Sequence, residues 1–212
     1  PQQKMTLYYS TLNTTTTVEN FVDLSLFPRR TPDFSTPILL HAGRLSKERG
    51  LFNMVNTAQR ISGNFSFYVA GKLEKNILID SLKPLIYLGE IDQKEIIEIY
   101  NKSNIGIILY NNIGQYSMAG AIKCYEYMAS SMPIIMPDFG EWIEFNNKTR
   151  CGINVNVLDA NSVAEAVMYL INNPDKARQM GENGRKCVEE NFSWQIAFKK
   201  LKLLYYDVME NK

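Results

Sequence analysis

The sequence predicts an α/β protein: a Rossmann-like, doubly wound parallel sheet closed by C-terminal helices. Two observations predict it. From residue 37 onward, short apolar runs alternate with segments whose apolar residues recur at helical spacing. The runs are also continuously apolar, the pattern of strands buried on both faces, so the helices between them must cover both sides of one sheet. Right-handed crossovers then give the doubly wound topology.

The elements follow in order. PILLHAG reads as a buried strand, and in GLFNMVNTAQRI the residues Leu51, Met54, Val55 and Ala58 share one helix face. FSFYVAG is the next strand, and a polar stretch of ambiguous character leads to PLIYLG. DQKEIIEIYNKS reads as a helix with Asp92 as N-cap and Glu95 three residues on, a capping-box arrangement. IGIILY is a buried strand; AGAIKCYEYMASSM is helical, and PIIMPD closes it as a strand. After GINVNV, the segment DANSVAEAVMYLINNP sets Val163, Ala166, Val167, Leu170 and Ile171 on one stripe, with Pro174 just past its end. The closing region, about 175–212, reads as helices broken near Gly181–Gly184 and near Phe192–Trp194. Its last stripe is Ala197, Phe198, Leu201, Leu204, Tyr205 and Val208, opposite Lys199, Lys202 and Asp207. A basic amphipathic helix suits a membrane surface; Tyr205, Tyr206 and the single lysine cluster favour core packing.

Composition excludes several classes. The 212 residues suffice for a full core, and 23 basic against 22 acidic residues leave a net charge of +1 with no block of five like charges. A nucleic-acid binder would concentrate its cations, so that partner is not expected. Apolar runs such as 105–110 fall far short of the ~18–20 residues of a membrane span. The opening PQQKMTLYYSTLNTTTT lacks the charged-then-apolar order of a signal peptide. Cys124, Cys151 and Cys187 are odd in number and widely spaced, which suits free thiols in a reducing compartment. One histidine, His41, excludes an H-E-x-x-H metal site, and G-x-S-x-G and G-x-G-x-x-G are both missing.

Doubly wound sheets bind ligands where their strands end, so the strand ends carry the candidates. The first ends in HAGRLSKERG, where Gly43 permits a close turn and Arg44, Lys47 and Arg49 gather three cations. A strand, a glycine turn and a helix N-terminus make an anion site to which arginine adds bidentate contacts. The alternative is a basic loop that pairs with Glu48 and neighbouring acids. In AGAIKCYEYMAS, helical spacing puts Lys123, Glu126 and Ser130 on one face, opposite Ala121, Tyr125, Met128, Ala129 and Met132. A surface pair at that spacing is worth only about 0.2–0.5 kcal/mol, and lysine before glutamate is the less favourable order. A cation early in a helix also opposes the dipole unless an anion sits there too. The functional reading is a phosphate held by Lys123 and the amides near Ala119 and Gly120, with Glu126 accepting from sugar hydroxyls. With Arg44 and Arg49, this describes a nucleotide-diphosphate site.

At these residues the chain resembles the C-terminal, donor-binding domain of family-four (group 1) retaining glycosyltransferases, which have the GT-B fold. The likeness runs through VENFVDLSLF, HAGRLSKERG, AIKCYEYMASSMPIIMPD and the tail from MGENGRKCVEENFSW to LYYDV, in the family's order. The resemblance implies that Arg44 is the phosphate-binding arginine, that Arg49 stands where a lysine is usual, and that both stabilise the leaving diphosphate. It implies that Lys123 matches the lysine of the family's P-T-K helix and Glu126 the second, ribose-binding Glu of its E-x7-E motif. The first Glu of that motif falls at Met118. Gly89, Glu90 and Ile91 would border the base, and His41 matches no catalytic position and reads as a strand residue.

The resemblance further implies that residues 1–212 are one donor domain whose N-terminal acceptor domain lies outside this chain, so that the chain alone is inactive. Its partners would be a nucleotide-diphosphate sugar as donor substrate and that acceptor domain. No cofactor or metal is expected, and the absence of D-x-D fits metal-independent binding. The setting would be cytoplasmic, in surface-polysaccharide or glycoconjugate synthesis, with any contact to the inner membrane face made through the other domain. Two rivals remain: a nucleotide-binding regulatory module without transferase activity, and a nucleotide-sugar epimerase of the same architecture.

Overall fold

The computed structural model describes residues 20–210, without the side chains of residues 207, 208 and 210. Val18 and Glu19 of the first resembling segment, and the Asp207 and Val208 side chains of the last helix, lie outside the described residues.

Six strands form one sheet: β1 (Ile38–Ala42), β2 (Ser66–Ala70), β3 (Ile86–Tyr87), β4 (Ile105–Ile107), β5 (Ile134–Pro137) and β6 (Gly152–Val155). Their order is β3-β2-β1-β4-β5-β6 and every pairing is parallel. The helices are α1 (Leu51–Ala58), α2 (Gln93–Lys102), α3 (Ile122–Ala129), α4 (Glu141–Thr149), α5 (Ala160–Asn172), α6 (Pro174–Asn191) and α7 (Trp194–Glu210). This is the doubly wound architecture that the apolar runs predict.

Successive strand residues point to opposite faces. Leu39, Ile105, Ile107 and Ile135 pack with Met54 of α1 and Val163 and Val167 of α5. Leu40, Ile134 and Met136 pack on the other side with Tyr100, Tyr127, Met128, Trp142 and Val188, from α2, α3, α4 and α6. Each of these large side chains contributes on the order of 1.5–3 kcal/mol by leaving water. The α2 cap is as expected: the Asp92 carboxylate accepts from the Glu95 N–H, and the Glu95 carboxylate from that of Asp92.

The strand order reverses between β1 and β4, and this reversal makes the site. Those strands pair at Leu39 with Ile105 and at Leu40 with Gly106. Further along, side chains take up backbone groups of the two strands. The Ile107 carbonyl accepts from Nδ1 of His41 at 2.9 Å, and the Ala42 N–H donates to the Tyr127 hydroxyl oxygen at 3.0 Å. The strand ends thus open a crevice while these two backbone groups stay paired.

Two expectations are corrected, and one element is added. The helix α6 runs unbroken through Gly181 and Gly184. These glycines serve close packing: a Cβ on Gly181 would stand 2.0 Å from the Ser131 carbonyl oxygen, and one on Gly184 3.1 Å from Met128. The helix α4 is an element that the strand and helix reading leaves out. Finally, the α7 stripe is not core: Ala197 is buried, but Phe198 is 50% and Tyr205 63% exposed. No helix of the described residues is long and apolar enough to cross a membrane.

Candidate functional site

The crevice is built from the end of β1 outward. Gly43 has φ 122°, and a Cβ there would meet Lys123 Nζ at 2.9 Å. Only glycine takes that backbone without strain and leaves that space. The turn that follows brings Arg49, half-buried, back towards the strand end, where its guanidinium lies 5.9 Å from the Tyr110 ring centre and 5.8 Å from that of Tyr116. Its Nε points at the Tyr116 hydroxyl, 3.4 Å away.

Two contacts of Tyr127 anchor α3 to the sheet. Its ring lies where a Cβ on Gly106 would fall, 2.4 Å from the Tyr127 Cδ2, and its hydroxyl holds the Ala42 amide. Lys123, one turn earlier, therefore projects past the strand end. It is only 7% exposed, with Nζ 3.2 Å from Nε2 of His41 and 5.2 Å from the Tyr110 ring centre. Glu126 accepts a 2.6 Å hydrogen bond at Oε2 from the Tyr100 hydroxyl of α2. Among the described ion pairs none joins Lys123 to Glu126.

Arg49, Lys123 and Glu126 line one cavity of about 420 Å³, together with Gly43, Tyr100 and Tyr110. A second cavity of about 320 Å³ shares Ala42, Gly43 and Ile96 with it and adds Gly71, Glu90 and Ile91. Another cavity, walled by Asp23 and Glu126 and lined by no lysine or arginine, adjoins on the far side of Glu126 and has the wrong charge for an anion.

Burial sets the electrostatics. Desolvation, then the nearby Arg49, lowers Lys123 to about 7, with Glu126 pulling the other way. Desolvation raises Glu126 above the usual carboxylate range, opposed by the Tyr100 hydrogen bond and by Lys123. His41 is held well below its ordinary value, first by burial and then by Lys123, against the Ile107 and Arg44 carbonyls. It is therefore neutral, and because the Ile107 carbonyl only accepts, its proton is on Nδ1.

The sequence-predicted residues are only partly brought together. Arg49, Lys123 and Glu126 converge, and Glu90 and Ile91 border the adjoining cavity. Gly89 stands beside them, its carbonyl accepting from the Gly71 N–H at 2.7 Å. The Arg44 side chain is exposed and lines neither cavity. The helix start near Ala119 is corrected: α3 begins at Ile122, and the Ala119 N–H donates to the Glu141 carboxylate at 3.3 Å. Gly120, at φ 88°, gives room to the Tyr125 hydroxyl, 2.7 Å from where a Cβ would stand. Lys123 is also corrected: it does not lie on a face away from the core but is enclosed at the end of the sheet. Sequence reasoning missed His41, Tyr100, Tyr110 and Tyr116. The position of Tyr110 at the end of the IGIILY run was the available signal.

Two cations and a hydrogen-bonded carboxylate around one crevice suit an anion that also carries hydroxyls. The family model described as glycosyl transferases group 1 matches residues 27–187, most of the chain. The chain belongs to the group 1 glycosyl transferases. It is similar to the capsular polysaccharide biosynthesis glycosyltransferase CapM of Staphylococcus aureus, 26% identical over 176 residues, or 79% of this chain and 45% of that protein. The chain thus spans about half the length of that relative. Among solved structures, a sucrose-phosphate synthase from Thermosynechococcus elongatus aligns with TM-score 0.76 and 21% identity, over 100% of this chain and 57% of that one. An Anabaena protein, HepE, solved in complex with UDP, aligns with TM-score 0.74 and 13% identity, over 91% and 57%. Both likenesses bear on fold, which is one half of the GT-B architecture.

Proposed function

We propose that this chain is the donor-binding half of a retaining glycosyltransferase, taking a nucleotide-diphosphate sugar for transfer to a glycan or glycoconjugate acceptor. The observation that carries the reading is the convergence of Arg49, Lys123 and Glu126 on one crevice where the strand order reverses. Arg49 and Lys123 take the diphosphate, Glu126 accepts from the ribose hydroxyls, and the cavity beside Glu90 and Ile91 receives the base. Arg44, exposed beside the same turn, adds charge from the rim.

The chemistry is electrostatic. As the glycosidic bond breaks, negative charge grows on the leaving diphosphate, and fixed cations in a partly desolvated crevice stabilise that charge more than the ground state. No cofactor is needed for this step. Transfer also needs an acceptor hydroxyl placed at the anomeric carbon in a cleft closed to water. That side of the reaction is assigned to the N-terminal acceptor domain, so the chain alone binds donor without turnover. The match to a capsular transferase supports a surface-polysaccharide role, in the reducing compartment that suits the free thiols of Cys124, Cys151 and Cys187.

Titration calorimetry tests the reading. UDP or GDP is expected to bind more tightly than uridine or guanosine. Equal affinities for nucleoside and diphosphate in both pairs would sink it.

A further inference from the structure

We propose that His41 is a positioning residue for Lys123: its Nε2 lone pair accepts from the lysine ammonium and holds that cation at the end of β1, facing the donor diphosphate. The proposal rests on the diphosphate reading of the crevice. It adds a role for the one histidine of the chain, which the sequence reads as an ordinary strand residue.

Two backbone carbonyls bear on the His41 ring, those of Ile107 and Arg44. The close contact is the 2.9 Å one between Nδ1 and Ile107, which puts the proton on Nδ1 and leaves Nε2 a lone pair. Lys123 Nζ lies 3.2 Å from that lone pair. Both side chains are buried, and the end of Lys123 has room beside the strand end because Gly43 has no side chain. If His41 served only to satisfy the Ile107 carbonyl, nothing would require its other nitrogen to meet a lysine. A lysine stem also has four rotatable bonds, and fixing it before the ligand arrives lowers the entropy lost on binding.

A neutral acceptor is the suitable partner here. A carboxylate at the same place would hold Lys123 but cancel the charge that a diphosphate needs. Imidazole orients one N–H of the ammonium and leaves the other two for the Tyr110 face and the crevice. The remaining charged or titratable groups facing Lys123 are Arg49 from the turn, Tyr110 after β4 and Glu126 on α3 itself. Of these, Arg49 repels the ammonium and Glu126 is held by Tyr100.

Two variants separate positioning from structure. Asparagine places its amide near Nδ1 and can keep the Ile107 bond, but it is too short to reach Lys123. Glutamine reaches the place of Nε2 with its carbonyl oxygen. Affinity for UDP and GDP is measured for wild type, His41→Asn, His41→Gln and Lys123→Met, and for His41→Asn combined with Lys123→Met. The expected result is a loss of about two- to tenfold for Asn, the worth of one hydrogen bond, with most of it recovered by Gln. In the Lys123→Met background, Asn is expected to cost nothing more. Equal affinities for Asn and Gln, or an Asn loss that persists without Lys123, would overturn the proposal. If wild type binds neither diphosphate, the reading of the crevice fails and the proposal with it; that outcome is seen before any variant is compared. Should Asn fail to fold, the nitrogen-15 spectrum of the one histidine decides. An Nδ1–H imidazole whose Nε2 resonance moves on Lys123→Met supports the contact, and an Nε2–H tautomer, or no movement, refutes it.

Discussion

The Tyr100 hydroxyl, from α2, donates a 2.6 Å hydrogen bond to Oε2 of Glu126 on α3, so the carboxylate enters the crevice already held from behind. Burial raises the pKa of this carboxyl and the tyrosine bond opposes that shift. Glu126→Gln keeps the shape and still gives Tyr100 a carbonyl oxygen, but it weakens the acceptor facing ribose hydroxyls. Nucleotide affinity is expected to fall by about tenfold, the worth of a charge-assisted hydrogen bond, with the melting temperature changed by no more than a few degrees. Calorimetry beside thermal melts checks both; a variant that melts far lower and binds normally would make the pair purely structural.

Gly43→Ala is a steric test of the same crevice. The new methyl meets Lys123 Nζ at 2.9 Å and Cε at 3.2 Å on a backbone at φ 122°. The lysine end can swing away, but only by leaving His41 or filling the anion space. Diphosphate binding is expected to drop at least tenfold, with a stability loss of about 1–3 kcal/mol from the strained backbone. Unchanged affinity would show that the space beside Gly43 is not used.

Arg49 and Arg44 are separable by burial. Arg49 is half-buried against two tyrosine rings and lines the crevice, whereas Arg44 is exposed and lines neither cavity. Exposed charges are screened by water and salt, so the rim arginine contributes less. Arg49→Ala is expected to weaken UDP or GDP binding by roughly ten- to a hundredfold and Arg44→Ala by about threefold or less. Raising salt should erase the Arg44 effect first. The reverse ranking would return the main phosphate contact to Arg44, as the family resemblance implies.

Much of the fold was legible because it rests on local patterns. Continuous runs such as PILLHAG become strands when helices cover both faces, and the Asp92–Glu95 box needs only neighbouring residues. What failed needed the third dimension. Helical periodicity assigns Lys123 to a solvent face, but α3 sits over the reversal between β1 and β4, where a side chain leaving the helix runs into the end of the sheet. Gly181 and Gly184 read as breaks because glycine weakens a helix, whereas here they admit the Ser131 carbonyl and Met128. The helix α4 carried a readable sign, with Glu141 and Glu144 in its first turn, Lys148 in its last and Trp142 and Phe145 on one side. It matters to the site: Trp142 Nε1 donates to the Tyr116 carbonyl at 2.9 Å, and Glu141 holds the Ala119 amide. These contacts tie down the loop that carries Tyr116.

The pH dependence of the crevice carries a signature of its own, because affinity and stability should move in opposite directions. Burial and Arg49 lower free Lys123 from 10.5 to about 7. A bound diphosphate favours the ammonium and raises that value, so the lysine contribution to affinity is complete below pH ~7 and fades as the pH climbs through the value of the complex. Stability takes the opposite sign. Between about 7 and 10.5 the unfolded chain holds the lysine proton and the folded chain does not, so stability without ligand rises with pH across that window. Lys123→Met removes both trends and serves as the reference, which subtracts every other titrating group. A UDP-sugar is the better probe than UDP, since its diphosphate is esterified at both ends and has no terminal phosphate to titrate near neutrality. The expected outcome is a wild-type affinity that falls from pH 6.5 to 9 relative to Lys123→Met, while the wild-type melting temperature climbs relative to that variant. Parallel curves for the two proteins would mean that Lys123 keeps an ordinary value and that its burial has no consequence for donor binding.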